Sequence, residues 1–348
     1  MGRSRSFQRN GWYRTPSDPR QIPRFRCKTC RRTCSQQTFA ASYYLKRREL
    51  PPKIATQLVA CAGHRQMARS FHCSKTTITR QIERLGRHAI LFHARCLQEL
   101  SAIAEPIVHD HFETFIGRQD HALGVGTAVG ARSWFVYDVD PAPHKGSGRR
   151  PDRQAAERAV PRQPYVASIR RTIQALLPRV SGSRRLQCIV DGRVDYLKAV
   201  QLRGWKEQVR LRVYPNPKRG PKGSPRSPEA MARDAAMFPV DSLHQLIRHS
   251  SADHKRETIA FGRRLESILG RAYVFAIWKN FIKGRSERKP DRTTPAMRLS
   301  LTEMPWRWER IFVRRLFPAR IRPTNAAMKL YRKLWTPQLP SLSHRHAA

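Results

Sequence analysis

The sequence predicts a mixed α+β / α/β chain, with a basic N-terminal segment, a small helical unit, a mixed-sheet core and a basic helical tail. Three observations carry this prediction. Helix-start signals recur between residues 51 and 92. Three strand-like runs follow in succession, and further strand-like runs then alternate with helical patterns. Lys and Arg number 68 against 25 Asp and Glu, a formal net charge of +43 spread along the whole chain.

Residues 1–50 are basic and rich in turn-formers, with RFRCKTCRRTCSQQTF at their centre. Cys27-x-x-Cys30 has the loop spacing of a zinc knuckle. A tetrahedral Zn²⁺ site needs a second pair, and Cys34 and His64 are poor substitutes by spacing. Two readings stay open: half of a broken zinc ribbon, or a metal-free basic turn. The missing pair is also what an N-terminally truncated reading frame would leave.

Residues 51–100 read as three helices. PPKIATQLVACAG opens on prolines and closes on Gly63. HRQMARSFHC is a second, brief helix. The third starts at Ser74, a good N-cap, and places Ile78, Ile82 and Leu85 on one face. Lys75, Thr76, Thr77, Arg80 and Arg84 then point outward. That is helix-turn-helix logic, in which the first exposed turns of the last helix enter the major groove. An ordinary three-helix packing unit with a solvated basic face has the same pattern.

Residues 101–283 form the expected core. PIVHDHFETFIG, HALGVGTAVG and SWFVYDVD read as an antiparallel meander. A basic, Pro-rich connection (141–163) leads to the helix YVASIRRTIQALLPRV, the buried strand LQCIVDG and the strand VRLRVYPN. KRGPKGSPRSPEAMARD reads as a loop, and from Asp241 to about Lys283 the chain is mostly helical. Strands first, then helix and strand in alternation, fit a ribonuclease-H-like core. Residues 284–348 are a basic helical tail.

The charge selects the partner. Neutralising many phosphates releases their counterions, so a chain of this charge suits nucleic acid. No stretch approaches the roughly 18 apolar residues of a membrane span, and no apolar signal core opens the chain, so no membrane partner is expected. The 7 Cys are scattered apart from one pair, which suits a reducing cytoplasm, here beside the nucleoid.

Three aspartates carry the chemistry. Asp110 opens the first strand of the meander, Asp191 ends the LQCIV strand, and Asp241 opens a helix. Phosphodiester chemistry on two Mg²⁺ (or Mn²⁺) ions needs hard carboxylate oxygens gathered at one point. His244 and Arg248 follow Asp241 on the same helical face; His244 is a metal or DNA contact, Arg248 a phosphate contact. Taken singly, an Asp after a strand is a turn residue and an Asp before an apolar helix is an N-cap. His109, Asp110, His111 and Glu113 form a polar knot, but His109 and His111 point opposite to Asp110, which disfavours a self-contained metal site.

From about Arg24 to Thr302 the chain resembles bacterial transposases of the insertion-sequence-one kind, within the DDE class. RFRCKTCRRTCSQQTF is similar to the family's zinc-ribbon end, with Cys34 where Phe is usual. AGHRQMARSFHCSKTTITRQIERL is similar to its helix-turn-helix. DHFETFIG and VDGRVDY resemble the first and second aspartate blocks, with His111 where an acid is frequent. DSLHQLIRHSSADHKRETIAFGRR resembles the third block. Asp241 stands there in place of Glu and His244 in place of Asn, while Arg248, Arg256, Thr258 and Phe261 match, with Glu257 as the alternative third acid. TTPAMRLSL resembles a later element, with Ser300 where Gly is usual. The resemblance implies a transposase that binds double-stranded DNA at terminal inverted repeats and target. It cuts and joins strands on Mg²⁺ held by Asp110, Asp191 and Asp241, as a homodimer or higher assembly. The competing expectations are a catalytically inactive DNA-binding remnant or regulator, and a structure-specific nuclease on the same fold.

Overall fold

A computed structural model describes residues 6–15, 18–144, 162–182, 184–217, 220–221, 223–255, 258–287 and 289–334. Three strands come first. β1 (Phe7–Thr15), β2 (Asp18–Cys27) and β3 (Thr33–Ser35) pair antiparallel in that order. Ile22 is the one buried apolar side chain among the described residues of this sheet. The basic N-terminal segment therefore holds extended strands where the sequence suggested turns.

Three helices follow as expected: α1 (Leu50–Leu58), α2 (His64–Ser70) and α3 (Lys75–Glu99). Prolines stand in the first turn of α1, and Ser74 caps α3 by accepting from the Thr77 amide at 3.1 Å. The first half of α3 buries Ile78, Ile82 and Leu85, and the second half buries Ala89, Ile90, Leu91 and Phe92. One hydrophobic cluster runs without a break from Leu50 to Leu330.

The central sheet contains β4 (Ile107–Ile116), β5 (Arg118–Gly130) and β6 (Val136–Pro143) as an antiparallel meander. α4 (Pro164–Leu176) leads to β7 (Leu186–Val190), and α5 (Val194–Gln201) to β8 (Val209–Val213). The strand order is β6-β5-β4-β7-β8, with β4, β7 and β8 mutually parallel. α6 (Pro228–Ser250) and α7 (Leu265–Ile277) cover one face, while α4 and α5 cover the other. Both faces are thus dry, which is why these strands read as apolar runs. α3 crosses α7 at a glycine pair, where a Cβ on Gly86 would meet the Gly270 Cα at 2.9 Å. A π-helical turn (Trp278–Ile282) precedes four short helices: α8 (Pro295–Arg298), α9 (Trp308–Ile311), α10 (Pro318–Ile321) and α11 (Asn325–Arg332).

Two expectations are corrected. Asp241 does not open a helix; it lies deep inside α6. That helix begins within the expected 218–234 loop, because Ser227 caps it by accepting from the Ala230 amide at 3.2 Å and Pro228 fills its first position. Pro239, which ordinarily marks a start, sits buried within the helix interior. Asp110 is the fourth residue of β4, and so lies within the strand instead of at its start. The helix α5 appears where no helix was expected.

Candidate functional site

Strand register sets the site. β4 and β7 run parallel with His109 opposite Val190, so the next residues, Asp110 and Asp191, lie level on neighbouring strands. Alternation then divides β4 between the two faces. Asp110, Phe112 and Thr114 face α6 and the short turn after it, where Phe112 packs on His244 and Thr114 meets His254. His109 and His111 point opposite to Asp110, as expected, and with Glu113 they face α4 and α5. His109 Nδ1 pairs with the Tyr196 hydroxyl (2.9 Å) and His111 Nε2 with Ser168 Oγ (3.1 Å). Glu113 accepts from the Tyr165 hydroxyl at 2.7 Å. Gly126 on β5 makes room for this row, since a Cβ there would meet His111 Nε2 at 2.9 Å.

Asp110 is held by the His111 amide at 2.8 Å. Burial pushes its carboxyl up to about 7, and the negative charges of Asp191 and Asp241 add to the rise. Asp191 is 9% exposed and accepts from the Arg193 amide at 3.1 Å. The Arg193 guanidinium lies 3.7 Å above the Tyr165 ring. Asp241 joins the other two carboxylates from α6, but its direct partner is Arg233, two turns earlier on the same helix. Arg233 also feels Asp110, and its Nε is buried with no hydrogen-bond partner.

His244 belongs to this cluster and does not face outward. Its Nε2 lies 2.8 Å from Thr127 Oγ1, and Thr127 donates to the Asp110 carbonyl at 3.4 Å. Thr127 and Nε2 share this short hydrogen bond, and Nδ1 faces Asp110 Oδ2 at 3.9 Å. Burial, with the charge of Arg248 beside it, pushes His244 down to about 3, so the ring is neutral.

The residue types suit a hard divalent ion: Asp110 lies near enough to Asp191 and Asp241 to feel both charges, and the neutral His244 ring faces it. Among the described residues no group of three or more His, Cys, Asp or Glu is arranged to hold a metal ion. On the Asp241 side the carboxylate is paired with the Arg233 guanidinium.

The other expected contacts divide. Lys75, Thr76 and Arg80 are exposed on α3, and Thr77 turns back to Ser74 at 3.0 Å. Arg84 does not point outward. It donates to the Ala41 carbonyl (3.0 and 2.7 Å) and the Tyr43 carbonyl (2.7 Å), tying α3 to the preceding loop. Arg248 reaches the Glu113 carbonyl at 3.1 Å and the His254 carbonyl at 3.5 Å, so it staples α6 to β4. Arg256 and Glu257 lie outside the described residues. Cys27 and Cys30 share the turn after β2. The amides of Cys30 and Thr29 hold the Cys27 thiol below its usual range.

Sequence reasoning missed Arg233, Thr127 and Tyr196. Arg233 was hidden because its segment read as loop, and Thr127 because only the pairing of β4 with β5 places it beside Asp110. No family model matches the chain, and no curated protein is significantly similar to it.

Proposed function

We propose that the chain is a DNA transposase of the DDE class, with the five-stranded sheet as a ribonuclease-H-like core. The observation that carries this reading is the alignment of Asp110 and Asp191 on adjacent parallel strands, with Asp241 delivered to the same face by α6. The strand order, the two dry faces and the charge of +43 support it. Bound Mg²⁺ would supply Lewis-acid activation of a water or a 3′-hydroxyl and charge neutralisation at the phosphate. Asp110, Asp191 and Asp241 would hold it, with His244 Nδ1 beside Asp110 as an added donor. Thr127 holds that imidazole in place through its 2.8 Å hydrogen bond with Nε2. Arg193 lies next to Asp191, propped on Tyr165, where it can meet a phosphate. Lys75, Thr76 and Arg80 present the reading edge of α3 to duplex DNA, and a dimer or larger assembly brings two element ends together. Cys27 and Cys30 provide half of a zinc site.

A strand-cleavage and strand-transfer assay on the element's own ends tests the reading. Asp110→Asn, Asp191→Asn and Asp241→Asn should each lose at least about a hundredfold of Mg²⁺-dependent cleavage. DNA affinity should hold or rise in each variant, because a negative charge leaves the phosphate path. Activity that survives Asp241→Asn but not Glu257→Gln would move the third carboxylate. Cutting without joining would make the protein a nuclease.

Proton competition gives a second check. Asp110 is pushed up to about 7, so below that pH a cation must displace a proton. Apparent Mg²⁺ affinity should fall by up to about tenfold per pH unit below 7, and a flat profile would remove Asp110 from the metal.

One observation favours a second reading, a DNA-binding remnant or regulator. The Arg233–Asp241 pair neutralises the third carboxylate from within the chain. A wild type that cuts nothing in Mg²⁺ or Mn²⁺, yet binds the element ends, would establish it.

A further inference from the structure

The β5–β6 turn holds a half-buried aromatic residue at positive φ. Trp134 sits at φ 61, a left-handed conformation that bulky side chains avoid. Glu105 enforces it. Its buried carboxylate accepts from the Arg132 and Ser133 amides, both at 2.8 Å, and from the Tyr137 hydroxyl at 2.8 Å. Strain held this firmly by surrounding bonds points to a use for the residue so placed.

What surrounds Trp134 is cationic. Lys279 Nζ lies 5.5 Å and Arg285 Cζ 5.3 Å from its ring centroid. Lys279 is only 7% exposed, and among the described residues no carboxylate pairs with it. Its positive neighbours Lys283 and Arg298, together with burial, push it down to about 8. A buried ammonium among like charges is costly unless an anion completes the site. On the outer side, Phe238 packs against Trp134 with centroids 5.6 Å apart, yet remains 52% exposed. Phe238 stands three residues before Asp241 on α6, about 4.5 Å along the helix axis.

We propose that this cluster holds one unpaired nucleotide of a DNA strand one helical turn along α6 from Asp241. Phe238 stacks the base, Trp134 braces Phe238, and Lys279 with Arg285 receives the phosphate. Stacking on an aromatic face tolerates any base, and the cations track the backbone, which is how single strands are held without sequence preference. Position gives the cluster its purpose: a strand opened beside the cut keeps its terminal nucleotide from re-pairing. The inference rests on the reading of the chain as a DNA-handling protein.

Full-length protein without divalent metal is titrated against a fluorescein-labelled dT₁₂ strand and against a 12-base-pair duplex, with anisotropy as the readout. Phe238→Ala touches an exposed side chain and leaves the fold intact. It should weaken single-strand binding about tenfold while changing duplex binding less than about twofold. Phe238→Tyr should restore the strand affinity. Lys279→Met should also weaken the strand and lower its salt slope by the share of about one phosphate. Equal weakening on strand and duplex, or no change in Phe238→Ala, would overturn the platform while the DNA-handling reading stands. A ribo-oligonucleotide bound more tightly than dT₁₂ would overturn the assignment to DNA. A wild type that binds neither strand nor duplex would remove both readings.

Discussion

The two sheets of this molecule are opposites. The central one lies between helices on both faces, and its buried side chains are mostly aliphatic, with Phe112 and Tyr137 among them. The N-terminal one has almost no buried side chain, and Arg9, Arg14, Arg20, Arg24 and Arg26 line its strands beside exposed Phe7 and Trp12. Asp18 is the one acidic residue between positions 7 and 35. The central sheet buries carboxylates on both faces, Asp110 towards α6 and Asp138 and Asp140 towards α4, while the outer sheet spreads positive charge over a ribbon. Burial makes the first difference: a sandwiched sheet can hold carboxylates close together because neighbouring atoms leave them nowhere to go. An unsandwiched ribbon must take its order from whatever it lies on, because a small hairpin sheet is marginal alone.

The largest expected effect separates the two sheets by task. Removing residues 1–35 should leave Mg²⁺-dependent cleavage of non-specific DNA within about threefold, against the at least hundredfold loss in the aspartate variants. A truncated protein with no cleavage would tie the ribbon to the carboxylates. By stability the contrast is similar. Leu123→Ala, fully buried in β5, should destabilise by about 2–5 kcal/mol in denaturant unfolding. Ile22→Ala should shift the global midpoint by less than about 0.5 kcal/mol; a shift as large as that of Leu123→Ala would show that the ribbon folds with the core.

Acid should distinguish them next. His93 is buried with Nε2 2.9 Å from the Val136 carbonyl, and burial pushes it down to about 4. The unfolded chain therefore binds a proton between about pH 6.5 and 4 that the folded chain refuses. Stability of the core falls as pH drops through that window, by up to ~3 kcal/mol for this residue. His93→Gln should flatten the slope, and an unchanged slope would assign acid loss to other groups. The smallest effect concerns the ribbon. Arg24→Ser with Arg26→Ser should lower the salt slope of duplex binding by about 0.9 for each phosphate these side chains neutralise. An unaltered slope would free the ribbon from DNA.

The same contrast explains what the sequence made legible. The central strands were readable because burial on both faces leaves apolar runs such as LQCIV and WFVY. α1 to α3 were readable from prolines, Ser74 and the Ile78–Ile82–Leu85 spacing. The ribbon was not, since strands exposed on both faces carry no apolar alternation to find. The start of α6 was hidden behind Pro239, and with it the placement of Arg233 beside Asp241. The three aspartates could be picked out, but their level alignment depends on the register of β4 with β7, which no local pattern encodes. Arg84 shows the reverse: helical spacing placed it outward, and only the 41–43 loop, far away in sequence, turns it in.

α3 is a single rod of 25 residues, about 37 Å long, with Lys75 at one end, its middle locked against α7 by the Gly86–Gly270 crossing and its far half tied to the sheet through His93. Under the proposed reading, one end touches bases and the other is fastened to the scaffold that carries the carboxylates. The helix then works as a ruler. The count of base pairs between the sequence that is read and the bond that is cut is written in its length, and lengthening it by one turn should move the cut.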